Sequence, residues 1–201
     1  MASSSKIKVV ILASEWGSKR SGLSTFNREF AIELAKHPMV QVSVYLLRCD
    51  RAEENAALKH NITLIQAKKR PGFDETQWLC FPPKDLQMDF VIGHGEVLGR
   101  QAQIISEYRQ CKWIQFVHTD PEGRIAQKPF MFKDYPEAIS KGALCAMADF
   151  VVAVGSKVAE AYRSYLRFCG KDQKVFVLTP GIFSEFLNVP QSKQKGASVE
   201  F

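Results

Sequence analysis

The chain reads as an α/β domain built on a doubly wound, Rossmann-like parallel sheet, and three observations predict it. Hydrophobic residues switch repeatedly between the two-residue period of strands and the 3.6-residue period of helices. Strand-like segments such as Lys6–Ser14 (KIKVVILAS) are near-continuous apolar runs, the pattern of a strand buried on both faces. The helical patterns between them span roughly 11 to 15 residues, enough for a crossover that returns the chain to a parallel neighbour.

Lys6–Ser14 is the first strand and ends in a polar loop, Glu15–Gly22. Phe26, Phe30, Ala31, Leu34 and Ala35 then recur at helical spacing, with Ser24 placed to cap the helix and His37-Pro38 to stop it. Val40–Leu47 (VQVSVYLL) is a second strand with a charged stretch behind it, and Asn61–Ala67 (NITLIQA) is a third. Residues 68–88 read as irregular, punctuated by Pro71-Gly72 and Pro82-Pro83. Asp89–Ile92 is a short strand running into Gly93-His94-Gly95, followed by a helix from about Leu98 to Arg109. Lys112–Val117 (KWIQFV) is a strand ending at His118, and a polar and aromatic loop, Thr119–Lys133, follows. A helix from about Tyr135 to Ala148 leads to the strand Asp149–Val154. Ser156 then reads as the cap of a helix to about Phe168, and Lys174–Leu178 is the last strand, closed by Thr179-Pro180-Gly181.

Composition narrows the function classes. At 201 residues, 46% hydrophobic and 24% charged, the chain is ordinary for a folded domain. No apolar run approaches the about 20 residues of a membrane-spanning helix. The start, Met1 to Lys6, has no apolar stretch followed by a cleavage site, so no secretory signal is expected. Cys49, Cys80, Cys111, Cys145 and Cys169 are an odd, scattered set without a Cys-x-x-Cys pair. That points to reduced thiols in the cytoplasm rather than to disulfides or zinc. The net charge of +6 is spread evenly over the two halves of the chain. With no RNA-binding signature or zinc-finger spacing, nucleic acid is not expected as a partner.

In a doubly wound sheet, ligands bind beyond the carboxyl ends of the strands. Four loops lie there: 14–24, 93–97, 118–133 and 179–185. The first, Gly17-Ser-Lys-Arg-Ser-Gly22-Leu23-Ser24, opens a helix where backbone N–H groups can meet a phosphate. Leu23 stands where a P-loop needs lysine, and only two of three glycines of a dinucleotide fingerprint are present, so both motifs fail. What remains is Gly22, where backbone can approach a ligand, with Lys19 and Arg20 beside it. Trp16, in the same loop, is the tryptophan best placed to line a pocket, whereas Trp113 within a strand reads as core.

His94 and His118 end two strands, each with an acid two residues on, Glu96 and Asp120. Two strand-end histidines with nearby carboxylates point to ligand binding or acid–base work. Without a third ligand at diagnostic spacing, a metal is not expected. Gly155-Ser156-Lys157-Val158 lacks the flanking glycines of a serine-hydrolase elbow.

In this order and spacing, four stretches resemble the N-terminal half of retaining GT-B glycosyltransferases, in glycosyltransferase family four ("glycosyl transferases group 1"). They are Lys8–His37; Asp89–Gly95; Trp113–Asp120; and Ala148–Glu160 with Val175–Phe186. The resemblance runs from Lys6 to about Phe186. It implies that Gly22 approaches the donor diphosphate and that His118 contacts the reacting sugar, positioning it rather than attacking it. The first loop and the loop after His118 would help hold the acceptor. The family usually has two adjacent glycines in the first loop, and Ser21 replaces one of them. On this resemblance residues 1–190 are the acceptor-side domain, and residues 191–201 are a linker and the truncated start of a second domain.

The family's C-terminal domain binds the nucleotide sugar and carries two glutamates eight positions apart, a spacing that no two glutamates of this chain show. The expected function is therefore half of a transferase that moves a sugar from a nucleotide-sugar substrate to an acceptor hydroxyl, inactive without its partner domain. No cofactor is implied. The alternative is a non-catalytic nucleotide- or partner-binding regulatory module on the same fold.

Overall fold

A computed structural model describes residues 5–17, 22–119, 142–168, 170–172, 174–179 and 181. Seven strands alternate with helices: β1 (Ile7–Glu15), α1 (Gly22–Ala35), β2 (Val40–Arg48), α2 (Arg51–Leu58), β3 (Ile62–Gln66), β4 (Phe90–His94), α3 (Val97–Arg109), β5 (Lys112–Val117), a helix α4 described over 142–147, β6 (Phe150–Val154), α5 (Ser156–Phe168) and β7 (Val175–Leu178). The strands form one sheet in the order β3-β2-β1-β4-β5-β6-β7, and every neighbouring pair is parallel. The chain therefore moves outward from β1 to β3, returns to β4 beside β1, and moves outward the other way. This reversal between β1 and β4 opens a crevice at their carboxyl ends.

The two faces of the sheet make separate cores, because successive strand residues point to opposite sides. On one face Val9, Ile11, Ala13, Val44, Leu46 and Ile92 pack under α1 and α2. On the other, Val10, Leu12, Tyr45, Val91 and Trp113 pack under α3, α4 and α5. Val10 to Ala13 are essentially sealed from water on both sides, as the unbroken apolar run of β1 predicts. Each such side chain contributes about 1.5–3 kcal/mol by burial.

The expected strands and most expected helices are present within a residue or two. Three local details differ. Ser24 is buried inside α1, which begins at Gly22, so it is not the cap. Ser156 is the first residue of α5 rather than its cap and follows Gly155 at φ 99°. The charged stretch after β2 is the helix α2, started by a capping box: Asp50 Oδ1 accepts from Glu53 N at 2.8 Å, while Asp50 N donates to Glu53 Oε2 at 3.1 Å. Within the irregular 68–88 region, Glu75–Cys80 forms a short 3-10 helix, and Tyr45 donates from its hydroxyl to the Phe81 carbonyl at 3.0 Å.

α3 sits unusually close to the sheet, and two glycines permit it. A Cβ on Gly93 would lie 2.6 Å from the Leu98 carbonyl oxygen and 2.9 Å from Gly99 Cα, and one on Gly99 would lie 2.5 Å from Gln115 Oε1. These contacts bring the start of α3 against the ends of β4 and β5, directly beside His94.

Candidate functional site

His94 is the last residue of β4, and His118 follows the last residue of β5. Parallel register places His94 opposite Phe116. The two imidazoles meet, with His94 Nδ1 3.0 Å from His118 Nε2. His94 is 2% exposed, and His118 is half-buried in front of it. Burial holds His94 well below the ordinary histidine range, helped by the neighbouring His118, and burial alone lowers His118 to about 4. Both rings are therefore neutral near pH 7.

Aromatic residues supply that burial. Phe26 of α1 packs edge-on against His118 with centroids 4.9 Å apart, and Phe116 lies 4.9 Å from the His94 ring. Phe30 packs 5.1 Å from Phe116 and completes the wall. The loop behind His94 is fixed by the main chain: Gly95, at φ 59°, donates its N–H to the Phe116 carbonyl at 2.9 Å. Gln115, 1% exposed, donates from Nε2 to the Gly95 carbonyl at 2.6 Å. Phe26 reads in the sequence only as part of an apolar helix face, and the one signal for Gln115 is a polar residue inside an apolar strand.

The remaining sequence-predicted site residues separate into three groups. Gly22 begins α1 at the carboxyl end of the sheet, and a Cβ there would meet nothing within 4 Å among the described residues. No contact among the described residues therefore holds this position to glycine. Trp16 is 5% exposed and packs with Ile11 and Ala13 in the core under α1, while Trp113 is core as expected. Glu96 precedes α3 and pairs with Arg100 at 2.5 Å; the close partner of His94 is His118. Arg20, Ser21 and Asp120 lie outside the described residues, as does most of the loop after His118. No group of three or more His, Cys, Asp or Glu side chains among the described residues is arranged to hold a metal ion.

An open cavity of about 430 Å³ with mixed lining lies elsewhere, formed by Lys8, Val9, Ser43, Ile65, Asp85 and Leu86 among others near the starts of β1 to β3. It faces away from the strand ends that carry the histidines. The histidine pair lies instead at the strand ends, where the topology creates a ligand crevice.

A seven-stranded parallel sheet of this order, with its crevice at the β1–β4 reversal, is the fold of a GT-B glycosyltransferase domain. Solved structures agree. HepE from Anabaena, in complex with UDP and glucose, is similar with a TM-score of 0.56 at 16% identity, over 88% of this chain and 45% of that one. Sucrose-phosphate synthase from Thermosynechococcus elongatus gives 0.56 at 15% identity, over 88% and 49%. UGT2 from Phytolacca americana, complexed with UDP-2fluoro-glucose and pterostilbene, gives 0.57 at 10% identity, over 90% and 55%. The chain thus spans about half the length of these structures. No curated protein matches the chain. The profile of a family described as "Family 4 Glycosyltransferase in conflict systems" matches residues 10–200, and the chain belongs to that family.

Proposed function

We propose that this chain is the acceptor-side half of a glycosyltransferase that moves a sugar from a nucleotide-sugar donor to an acceptor hydroxyl with retention of configuration. The observation that carries the reading is the neutral, buried His94–His118 pair at the topological reversal, packed against α1 through Phe26. In this reading Gly22 and the first N–H groups of α1 face the donor diphosphate, and His118 hydrogen-bonds the reacting sugar. Arg20, Ser21 and Asp120 contribute from the flanking loops. Solved relatives of the fold bind UDP or UDP-sugars, which supports a nucleotide sugar as substrate.

A second, C-terminal domain supplies the donor-binding groups and closes over the cleft, excluding water and assembling the leaving-group contacts. Residues 1–190 would be the acceptor-side domain and 191–201 the passage to the second. The cytosol is the compartment proposed. Cys49, Cys80, Cys111 and Cys145 are free, and burial pushes the Cys145 thiol up to about 12, so these groups suit a reducing milieu.

The test is transfer of radiolabelled sugar from nucleotide sugars by the 201-residue chain and by a longer native form carrying the second domain. The expected result is no transfer by the chain alone, and transfer by the longer form that is lost in His118→Ala with its circular dichroism unchanged. Transfer by the isolated chain would overturn the need for a second domain. Full transfer by His118→Ala would overturn the role of the histidine.

A further inference from the structure

Two imidazole nitrogens 3.0 Å apart share one proton, and which ring owns it decides what His118 offers to a ligand. If the shared proton sits on His118 Nε2, then Nδ1 of His118 is a bare acceptor. His94 must in that case carry its own proton on Nε2. If instead the proton sits on His94 Nδ1, then His118 accepts through Nε2 and is protonated on Nδ1. Nε2 of His94 is then a bare lone pair. The structure distinguishes the two, because His94 Nε2 is fully buried with no hydrogen-bond partner among the described residues. An orphaned N–H in that position would be among the rarest of buried groups, and an unshared lone pair is better tolerated.

We propose that His94 is a positioning residue that sets the tautomer of His118: His94 donates from Nδ1 to His118 Nε2, so that His118 presents an Nδ1–H donor to whatever enters the crevice. Three features support the arrangement. Both rings are neutral, since burial lowers them far below pH 7. The main-chain bond from Gly95 and the Gln115 amide fix the loop that follows His94. Phe26 and Phe116 leave little room for either ring to turn. The group recognised is then a hydrogen-bond acceptor, such as a sugar hydroxyl or ether oxygen, and His118 does not serve as a general base through Nδ1. The tautomer stands apart from the glycosyltransferase reading; only the identity of the accepting oxygen rests on it.

The experiment is long-range proton–nitrogen NMR of the uniformly nitrogen-15-labelled chain at pH 7.5. Signals are assigned by their loss in His94 and His118 variants, and the amide spectrum reports folding. The expected result is the Nδ1–H pattern for both His94 and His118. His94→Asn, whose amide nitrogen sits where Nδ1 was, keeps His118 in that pattern. His94→Leu returns it toward the Nε2–H form that free imidazole side chains prefer. An Nε2–H pattern for His118 in the wild-type chain overturns the proposal, and so does an unchanged pattern in folded His94→Leu. Should His94→Leu not fold, the wild-type and His94→Asn spectra decide. None of these readouts uses sugar transfer, so an absence of transferase activity would leave the tautomer result intact.

Discussion

Acid is the perturbation that the site should register most clearly. His118 is held at about 4 by burial, whereas an unfolded histidine titrates near ~6.5. A group lowered in the folded state contributes stability that is fully present above the unfolded value. That contribution is lost as pH falls from about 6.5 toward 4, because the unfolded chain takes up the proton first. At pH 5 the loss from His118 alone is about 2 kcal/mol relative to pH 8, with a slope approaching ~1.4 kcal/mol per pH unit. His94, lowered in the same direction by burial and by His118, adds to the loss. The assay is urea denaturation followed by tryptophan fluorescence at pH 8, 6.5, 5.5 and 5. The fluorophores suit it, since Trp16 and Trp113 are buried in the two separate cores. His118→Gln, run in parallel, should lose about 2 kcal/mol less between pH 8 and pH 5. A wild-type stability that stays flat over that range would refute the reasoning, as would equal losses in wild type and variant.

Three further outcomes follow from the geometry. Gly93→Ala should cost about 1–3 kcal/mol in thermal or urea unfolding, because its Cβ would press on the Leu98 carbonyl and Gly99 backbone; unchanged stability would show that α3 can move away from the sheet. Gly22→Ala should leave the melting temperature unchanged, since no described residue lies within 4 Å of its Cβ, but raise the donor KM of the proposed transferase several-fold; a lowered melting temperature would show that the fold itself needs the glycine. Asp50→Ala should cost about 1 kcal/mol in urea unfolding through loss of the α2 capping box, and no change would mean that Glu53 alone suffices.

The sheet was legible because the fold buries β1 and its neighbours on both faces, and this condition writes long β-branched runs that few other structures tolerate. The helix α2 was harder to see. Its apolar face is short, with Ala57 its one buried residue, and the Asp50–Glu53 capping box was the readable signal. The strand-end positions of His94 and His118 followed from the parallel topology. Their direct contact did not, because it depends on β4–β5 register and on how far each chain runs past its last ladder bond. The sequence spacing invites pairing each histidine with the acid two residues on. In the fold, Glu96 sits just before α3 and pairs with Arg100, which leaves the imidazoles to face each other. Trp16 shows the converse: a loop position beyond a strand end still turns inward when the apolar core under α1 takes up its ring.

In the proposed transferase, the neutral state of the pair would divide the work within the crevice. Diphosphate carries charge, and the groups suited to it there are the N–H dipoles at the start of α1. A buried neutral imidazole makes a poor counter-ion but a well-oriented donor, since a hydrogen bond gains strength where water is thin. In the proposed transferase, a His118 cationic at pH 7 would compete with the helix end for phosphate. Desolvation by Phe26 and its neighbours lowers the His118 pKa, so in that reading the same aromatic wall that lowers acid stability would keep sugar and phosphate recognition on separate groups. Replacing Phe26 with a polar residue such as serine should therefore raise the His118 pKa toward its ordinary value, measurable by NMR titration. An unshifted pKa in that variant would mean that His94, rather than the aromatic wall, keeps His118 neutral.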